Sequence, residues 1–282
     1  MKKSIFVFGI LALCVTSCKR YGALQKTPDY EYRYEAAKAY YIEGSYTKAA
    51  SLMSDVLAVM KGTHHGEESL YLLAQAEYNA GDYETSGNYF KKYCQSYPKG
   101  KYVQQARYFH AMSTYKQVPD VRLDQTVTWE AMQAFQSFID LYPYSGLKAQ
   151  AQNYINELQD QLVDKEYRSA KLYYDLGTYI LNCAYGGNNY EACIITSQNA
   201  LKDFPFASTA KKEELSMLIL RSRYELAKGS TEEKRTARFR DAIDEYYSFI
   251  NDFPESKYAN EANKILKHSQ DIVKNKRINL DD

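Results

Sequence analysis

The sequence predicts an all-α fold: a right-handed superhelical solenoid of about five helix hairpins, closed by a C-terminal capping helix. Three observations carry this. A Tyr-x2-Ala-x3-Tyr pattern recurs at fixed spacing, a second small-then-aromatic pattern follows each copy, and glycines or prolines fall where these patterns end. Helix hairpins with so few breaks must pack on one another, and the chain is rich in the residue that can do it. It has 29 tyrosines among 282 residues, against 6 prolines and 13 glycines.

The first pattern reads Tyr34, Ala37, Tyr41, then Tyr71, Ala74, Tyr78, then Tyr108, Ala111, Tyr115, each copy 37 residues after the last. A fourth copy, Tyr167, Ala170, Tyr174, follows a longer gap. Spacings of three and seven put these side chains on one face of a helix, and the central alanine admits a close neighbour. The second pattern has residues at i, i+4 and i+7 with a proline at i+12. It runs Ser86, Phe90, Tyr93, Pro98, then Ala131, Phe135, Phe138, Pro143, then Cys193, Ser197, Ala200, Pro205, then Ala242, Tyr246, Phe249, Pro254. An N-terminal instance, Ala49, Met53, Val56, has Lys61 in the proline's place.

Gly44-Ser45-Tyr46 and Gly81-Asp82-Tyr83 are the turns between first and second helices, with glycine free to take the left-handed conformation that ends a helix. The prolines end the second helices, each preceded by an aromatic residue (Tyr97, Tyr142, Phe204, Phe253). Ser145, Ser208 and Ser256 are placed to cap the next helix. The stretch with Tyr258, Ala262, Ile265 and Leu266 reads as the final, capping helix. About eight extra residues enter the third repeat around Pro119-Asp120, the fourth turn is enlarged over Thr178 to Asn188, and the fifth repeat carries the charged stretch Lys228 to Arg240. A looser joint is expected near Gln159 to Glu166.

The N-terminus reads as targeting. Met1-Lys2-Lys3 is basic, and Ile5 to Val15 is an apolar run too short for a comfortable bilayer span. It ends in Val15-Thr16-Ser17-Cys18, which resembles the bacterial lipobox, whose cysteine is acylated. The expected layout is a signal peptide over 1–17, a lipidated linker over 18–29, an N-terminal half over 30–158, a C-terminal half over 159–270 and a polar tail over 271–282. Acyl chains on Cys18 would hold the protein to a membrane without spanning it. Lys19-Arg20 after the anchor, with no acidic cluster, resembles lipoproteins of the Bacteroidetes kept on the inner face of the outer membrane.

Charge and chemistry narrow the function classes. Lys and Arg number 36 against 35 Asp and Glu, so the basic excess of a nucleic-acid binder is missing. Cys94, Cys183 and Cys193 are irregularly spaced and read as packed residues, neither a disulfide framework nor a zinc site. His64-His65 lies between Gly62 and Gly66 in what reads as a solvated loop, and His110 and His268 have no carboxylate or cysteine at a partner spacing. Glu67-Glu68 and Glu232-Glu233 read as helix-start or surface charges and not as a catalytic pair. No phosphate loop, His-Glu-x-x-His pair or Gly-x-Ser-x-Gly elbow occurs, so the expectation is a protein that is not an enzyme, with no cofactor or metal beyond the covalent lipid on Cys18.

The hairpin pattern, with Gly-Asp-Tyr at the turn and a closing proline, resembles the tetratricopeptide repeat (TPR) over nearly all of 30 to 270. In that motif the two tyrosine positions of the first helix face the concave surface. The resemblance therefore implies a peptide groove of Tyr34, Lys38 and Tyr41, Tyr71, Gln75 and Tyr78, and Tyr108, Met112 and Tyr115. A lipobox, a short linker and five TPR-like hairpins, opening with Asp29 to Tyr41 and Gly44-Ser45-Tyr46, resemble the BamD family, the lipoprotein component of the outer-membrane β-barrel assembly machinery. That resemblance implies a periplasm-facing scaffold whose C-terminal half docks on the periplasmic domains of the BamA-like barrel-forming protein, with an N-terminal groove for segments of unfolded outer-membrane proteins. Two other classes share the architecture: a glycan-binding TPR lipoprotein of a nutrient importer, and a TPR lipoprotein coordinating envelope or peptidoglycan.

Overall fold

The computed structural model describes residues 21–179 and 188–281, with side chains through 275. The lipobox with Cys18, and with it Cys183 and most of the enlarged fourth turn, lies outside the described residues. No strand occurs among the described residues. The helices are α1 (Tyr30–Ile42), α2 (Tyr46–Met60), α3 (Gly66–Ala80), α4 (Tyr83–Ser96), α5 (Val103–Tyr115), α6 (Thr126–Leu141), α7 (Lys148–Leu176), α8 (Asn189–Asp203), α9 (Thr209–Lys228), α10 (Glu232–Asp252) and α11 (Ala259–Asp281). Consecutive helices pack as hairpins, so the all-α, TPR-like architecture holds.

The helix ends follow local chemistry. Asp29 caps α1 through the Tyr32 N–H at 3.1 Å and Asp82 caps α4 through the Thr85 N–H at 3.0 Å, satisfying donors that the helix itself leaves open. Gly44 and Gly81 close α1 and α3 at φ of 78° and 91°, a region where a Cβ would be strained. At the other end of the hairpins, Tyr97, Phe204 and Phe253 leave the helix in nearly the same non-helical conformation, with ψ between 64° and 68°, outside the helical region that a following proline disfavours for its predecessor.

The serines expected as helix caps act differently. Ser208 stands at the N-cap of α9 without a side-chain cap bond. Ser145 and Ser256 accept the N–H of Leu147 and Tyr258 at 3.2 and 2.9 Å, inside the turn that precedes the helix. Their hydroxyls are engaged by the preceding repeat. Gln104 in α5 donates to Ser145 at 2.6 Å, and Ser256 donates to Glu213 of α9 at 2.5 Å. The backbone equivalents are the Lys101 N–H on Glu67 and the Ser208 N–H on Asp160, both at 2.6 Å. A polar side chain on α3, α5, α7 and α9 thus clasps the loop ahead of the next odd-numbered helix.

The chain divides into two compact units, one formed by 1–119 with 126–152 and the other by 120–125 with 153–282. The first unit is built on Tyr34, Ala37, Leu52, Met53 and Leu73 at one level and on Leu70, Ala74, Phe90, Tyr93 and Ala106 at the next. In the second, Ala170, Cys193 and Leu218 join α7, α8 and α9, while Met217, Tyr246, Phe249, Ala262 and Ile265 join α9, α10 and α11. Residues 159–166, where the sequence suggested a looser joint, lie inside the unbroken α7, held by buried Leu158, Leu162 and Val163 at helical spacing. The charged stretch of the fifth repeat is likewise helix extension, with only Gly229 to Thr231 between α9 and α10. Residues 21–26, expected in the linker, are helical, and α11 continues into the expected tail as far as Asp281.

Candidate protein-binding surface

The first-helix positions expected to line a groove fall into two groups. Tyr34, Gln75, Tyr108 and Met112 are buried, while Lys38, Tyr41, Tyr71, Tyr78 and Tyr115 keep part of their surface open. Tyr34, at 0% exposure, cannot line an open groove. Its hydroxyl donates to Glu68 at 2.8 Å, and Lys38 and the His65 ring lie over its faces at 5.0 and 4.5 Å. Tyr108 is enclosed by Phe109, Phe135 and Phe138. Ala37, Ala74 and Ala111 are all fully buried and admit a close neighbouring helix, and in the first and third repeats the first tyrosine is buried with them.

Tyr71 is the half-open member of that row. It stacks on Tyr102 at 4.4 Å with planes 13° apart, meets Phe90 and Tyr93 edge-on, and receives a hydrogen bond from Gln75 at 3.0 Å. The second row repeats a different unit. Tyr41 meets Tyr46 edge-on at 5.5 Å, and Tyr78 meets Tyr83 in the same way at 5.4 Å, so the tyrosine of each Gly-x-Tyr turn braces the last turn of its own first helix. Asn79 donates to the Tyr41 hydroxyl at 3.1 Å and ties α3 to α1. Burial raises the Tyr41 and Tyr71 phenols above their ordinary value, so both stay protonated at neutral pH. The half-open surface therefore offers neutral hydroxyls, aromatic edges and the Lys38 ammonium, a set suited to backbone groups and apolar side chains of an extended chain.

Several features escaped the sequence reading. His65, expected in a solvated loop, packs on Tyr34 and sets its Nε2 2.8 Å from a Glu31 carboxylate oxygen. Glu67, read only as a helix-start or surface charge, also accepts the Tyr93 hydroxyl, which in turn accepts the Tyr102 N–H at 3.0 Å. His110 places Nδ1 3.1 Å from the Gly87 carbonyl and lines a cavity of about 520 Å³ with Glu84, Lys91, Thr114 and Glu130. Burial pushes this imidazole below its ordinary value, so it is neutral at pH 7, and Nδ1–H is the tautomer that donates to Gly87. In the second unit Arg221 forms a two-pronged pair with Glu261, both contacts at 2.7 Å, and lies 5.2 Å from the Tyr258 ring centre. Tyr174, Tyr224 and Lys264 complete the wall of a cavity of about 230 Å³ there. Among the described residues no cluster of His, Cys, Asp or Glu could hold a metal ion, and no helix is long and apolar enough to cross a membrane.

Helix hairpins that clasp one another through polar side chains, with a half-open aromatic row, define a helical-repeat protein. The family assignment follows from comparison: residues 27–184 match the family described as YfiO, outer membrane lipoprotein, and the chain belongs to that family. It is also 22% identical over 170 residues to a Caulobacter vibrioides protein described as outer membrane protein assembly factor BamD, an alignment covering 60% of this chain. The chain spans 56% of the length of that relative.

Proposed function

We propose that this protein is a non-catalytic subunit of outer-membrane β-barrel assembly, lipid-anchored through Cys18 on the periplasmic side of the outer membrane. The observation that carries the reading is the family match over residues 27–184, joined to hairpins whose half-open tyrosines suit an extended polypeptide. In this reading the first unit takes up segments of unfolded outer-membrane proteins along Tyr41, Tyr71, Tyr78 and Tyr115. The second unit docks on the periplasmic domains of a BamA-like barrel-forming protein, over residues 165 to 270, with Lys228 to Arg240 at the edge of the contact. The Arg221–Glu261 pair with Tyr174 and Tyr224 is the strongest recognition feature on that stretch, because a two-pronged guanidinium–carboxylate pair beside aromatic rings can be extended by a partner's own charge.

Co-purification from detergent-solubilised membranes tests this. The barrel-forming protein should accompany the lipoprotein through a salt wash. Retention on an oligosaccharide or peptidoglycan matrix without the barrel protein would instead assign the chain to glycan binding or envelope coordination.

A further inference from the structure

Residues 21–26 double back along the first hairpin. Leu24 is 7% exposed within the core that holds Tyr34, Ala37 and Met53, and Gln25 reaches Ser51 at 3.4 Å. Tyr21 meets Tyr40 edge-on at 5.7 Å, and the Lys48 ammonium sits 5.8 and 5.4 Å from the two ring centres. Tyr40 and Lys48 flank the Gly44 turn at the tip of the hairpin. The start of α1 is about 20 Å away at the helix rise of 1.5 Å per residue. Tyr21 therefore lies at the tip of the first hairpin, at the opposite end from the residue where α1 begins.

We propose that this tip rests on the lipid surface, with Ile42 seated in the interfacial layer. The inference depends on the reading of Cys18 as the acylated residue. Cys18 stands three residues before Tyr21, so the backbone between them spans at most about 11 Å. Acyl chains in the membrane hold Cys18 at headgroup level, and Tyr21 with the tip behind it is held within that reach. The tip has the composition such a position calls for. Ile42 is 83% exposed, and the same tip carries Tyr21, Tyr40, Tyr41, Tyr46 and Lys48, rings and an ammonium of the kind that settle where apolar and polar layers meet. Glu43, exposed beside Ile42, keeps the contact at headgroup depth. A tether this short selects lipid over another protein as the occupant. The opposite end of the hairpins, where Tyr144 is 99% exposed, then faces water.

The test uses the full acylated chain. Trp129→Phe removes the one tryptophan, and Ile42→Trp or Tyr144→Trp then reports each end of the hairpins. Both are incorporated into phosphatidylethanolamine–phosphatidylglycerol vesicles with brominated acyl chains. Bromine should quench the Ile42→Trp variant several-fold more than the Tyr144→Trp variant. Adding Leu24→Ser, which frees the packed segment and lengthens the tether, should lower that quenching while the protein still floats with the vesicles. Equal quenching at both positions in protein that floats overturns the proposal alone, as does undiminished quenching with Leu24→Ser. Protein that carries no lipid by mass and does not float refutes the anchor, and the proposal falls with it.

Discussion

Tyr34 separates packing from recognition, because the same residue belongs to the expected groove and to the observed core. Its side chain is fully buried and its hydroxyl is spent on Glu68. Truncation to alanine removes a buried ring and leaves a cavity between α1, α2 and α3, which costs about 3–5 kcal/mol. Tyr34→Phe keeps the ring and loses one hydrogen bond to a partly exposed carboxylate, about 1 kcal/mol. For a unit of this size each kcal/mol moves the melting temperature by roughly 2–4 °C. Tyr34→Ala should therefore lower Tm by roughly 6–20 °C and Tyr34→Phe by roughly 2–4 °C, followed by circular dichroism. Binding of a β-barrel C-terminal peptide, measured by fluorescence anisotropy below both transitions, should survive Tyr34→Phe. If Tyr34→Ala melts with the parent protein and loses the peptide, the assignment of Tyr34 to the core is wrong.

The half-open row should behave in the opposite sense. Tyr78→Ala combined with Tyr115→Ala is expected to weaken peptide binding about tenfold or more with a Tm loss smaller than that of Tyr34→Ala, and a peptide affinity that does not change would move recognition off this row. Gly81→Ala meets no neighbouring atom within 4 Å but forces a Cβ onto a backbone at φ of 91°, so it should cost about 1–2 kcal/mol in urea unfolding, and a neutral result would mean that the turn relaxes. His110 carries a depressed folded-state value, so the unfolded chain binds its proton first. Stability at this site is complete above the ordinary histidine range and falls as pH drops below about 6.5 towards the folded value. Lys91 and Arg107 add to the depression, while the Gly87 carbonyl opposes it and Glu84 and Glu130 line the same cavity. His110→Gln should flatten the stability profile just below about pH 6.5, and an unchanged slope there would assign the acid sensitivity to other groups.

The repeats are legible in the sequence because one device recurs at one spacing. The two Gly-x-Tyr turns at 44–46 and 81–83 produce the same edge-on tyrosine pairs, and Tyr97, Phe204 and Phe253, each before a proline, leave their helices in nearly the same conformation. Burial is legible only in part, since periodicity identifies a face without saying what covers it. Tyr34 and Tyr71 occupy the same repeat position, yet Glu68 and His65 seal the first while Tyr102 leaves the second half open. The unbroken α7 did have a signal, for neither glycine nor proline occurs between Gly146 and Gly177. Residues 159–166 are mostly polar, and the buried Leu158, Leu162 and Val163 are too few to mark a helix face unaided.

The clasps between repeats were not legible at all, and they bear on how the scaffold is held. Glu67 to the Lys101 N–H, Gln104 to Ser145, Asp160 to the Ser208 N–H and Ser256 to Glu213 have different chemistry and different sequence separations, so no motif records them. What they share is position, a first-helix side chain meeting the loop that launches the next first helix. Each fixes the start of a helix whose apolar contacts alone would let it slide along the neighbouring hairpin, since van der Waals packing is weakly directional and hydrogen bonds are not. The half-open tyrosines keep their spacing from one repeat to the next only while that register holds. The peptide recognition proposed for Tyr41, Tyr71, Tyr78 and Tyr115 would therefore depend on residues such as Glu67 and Gln104, whose side chains are spent on these clasps.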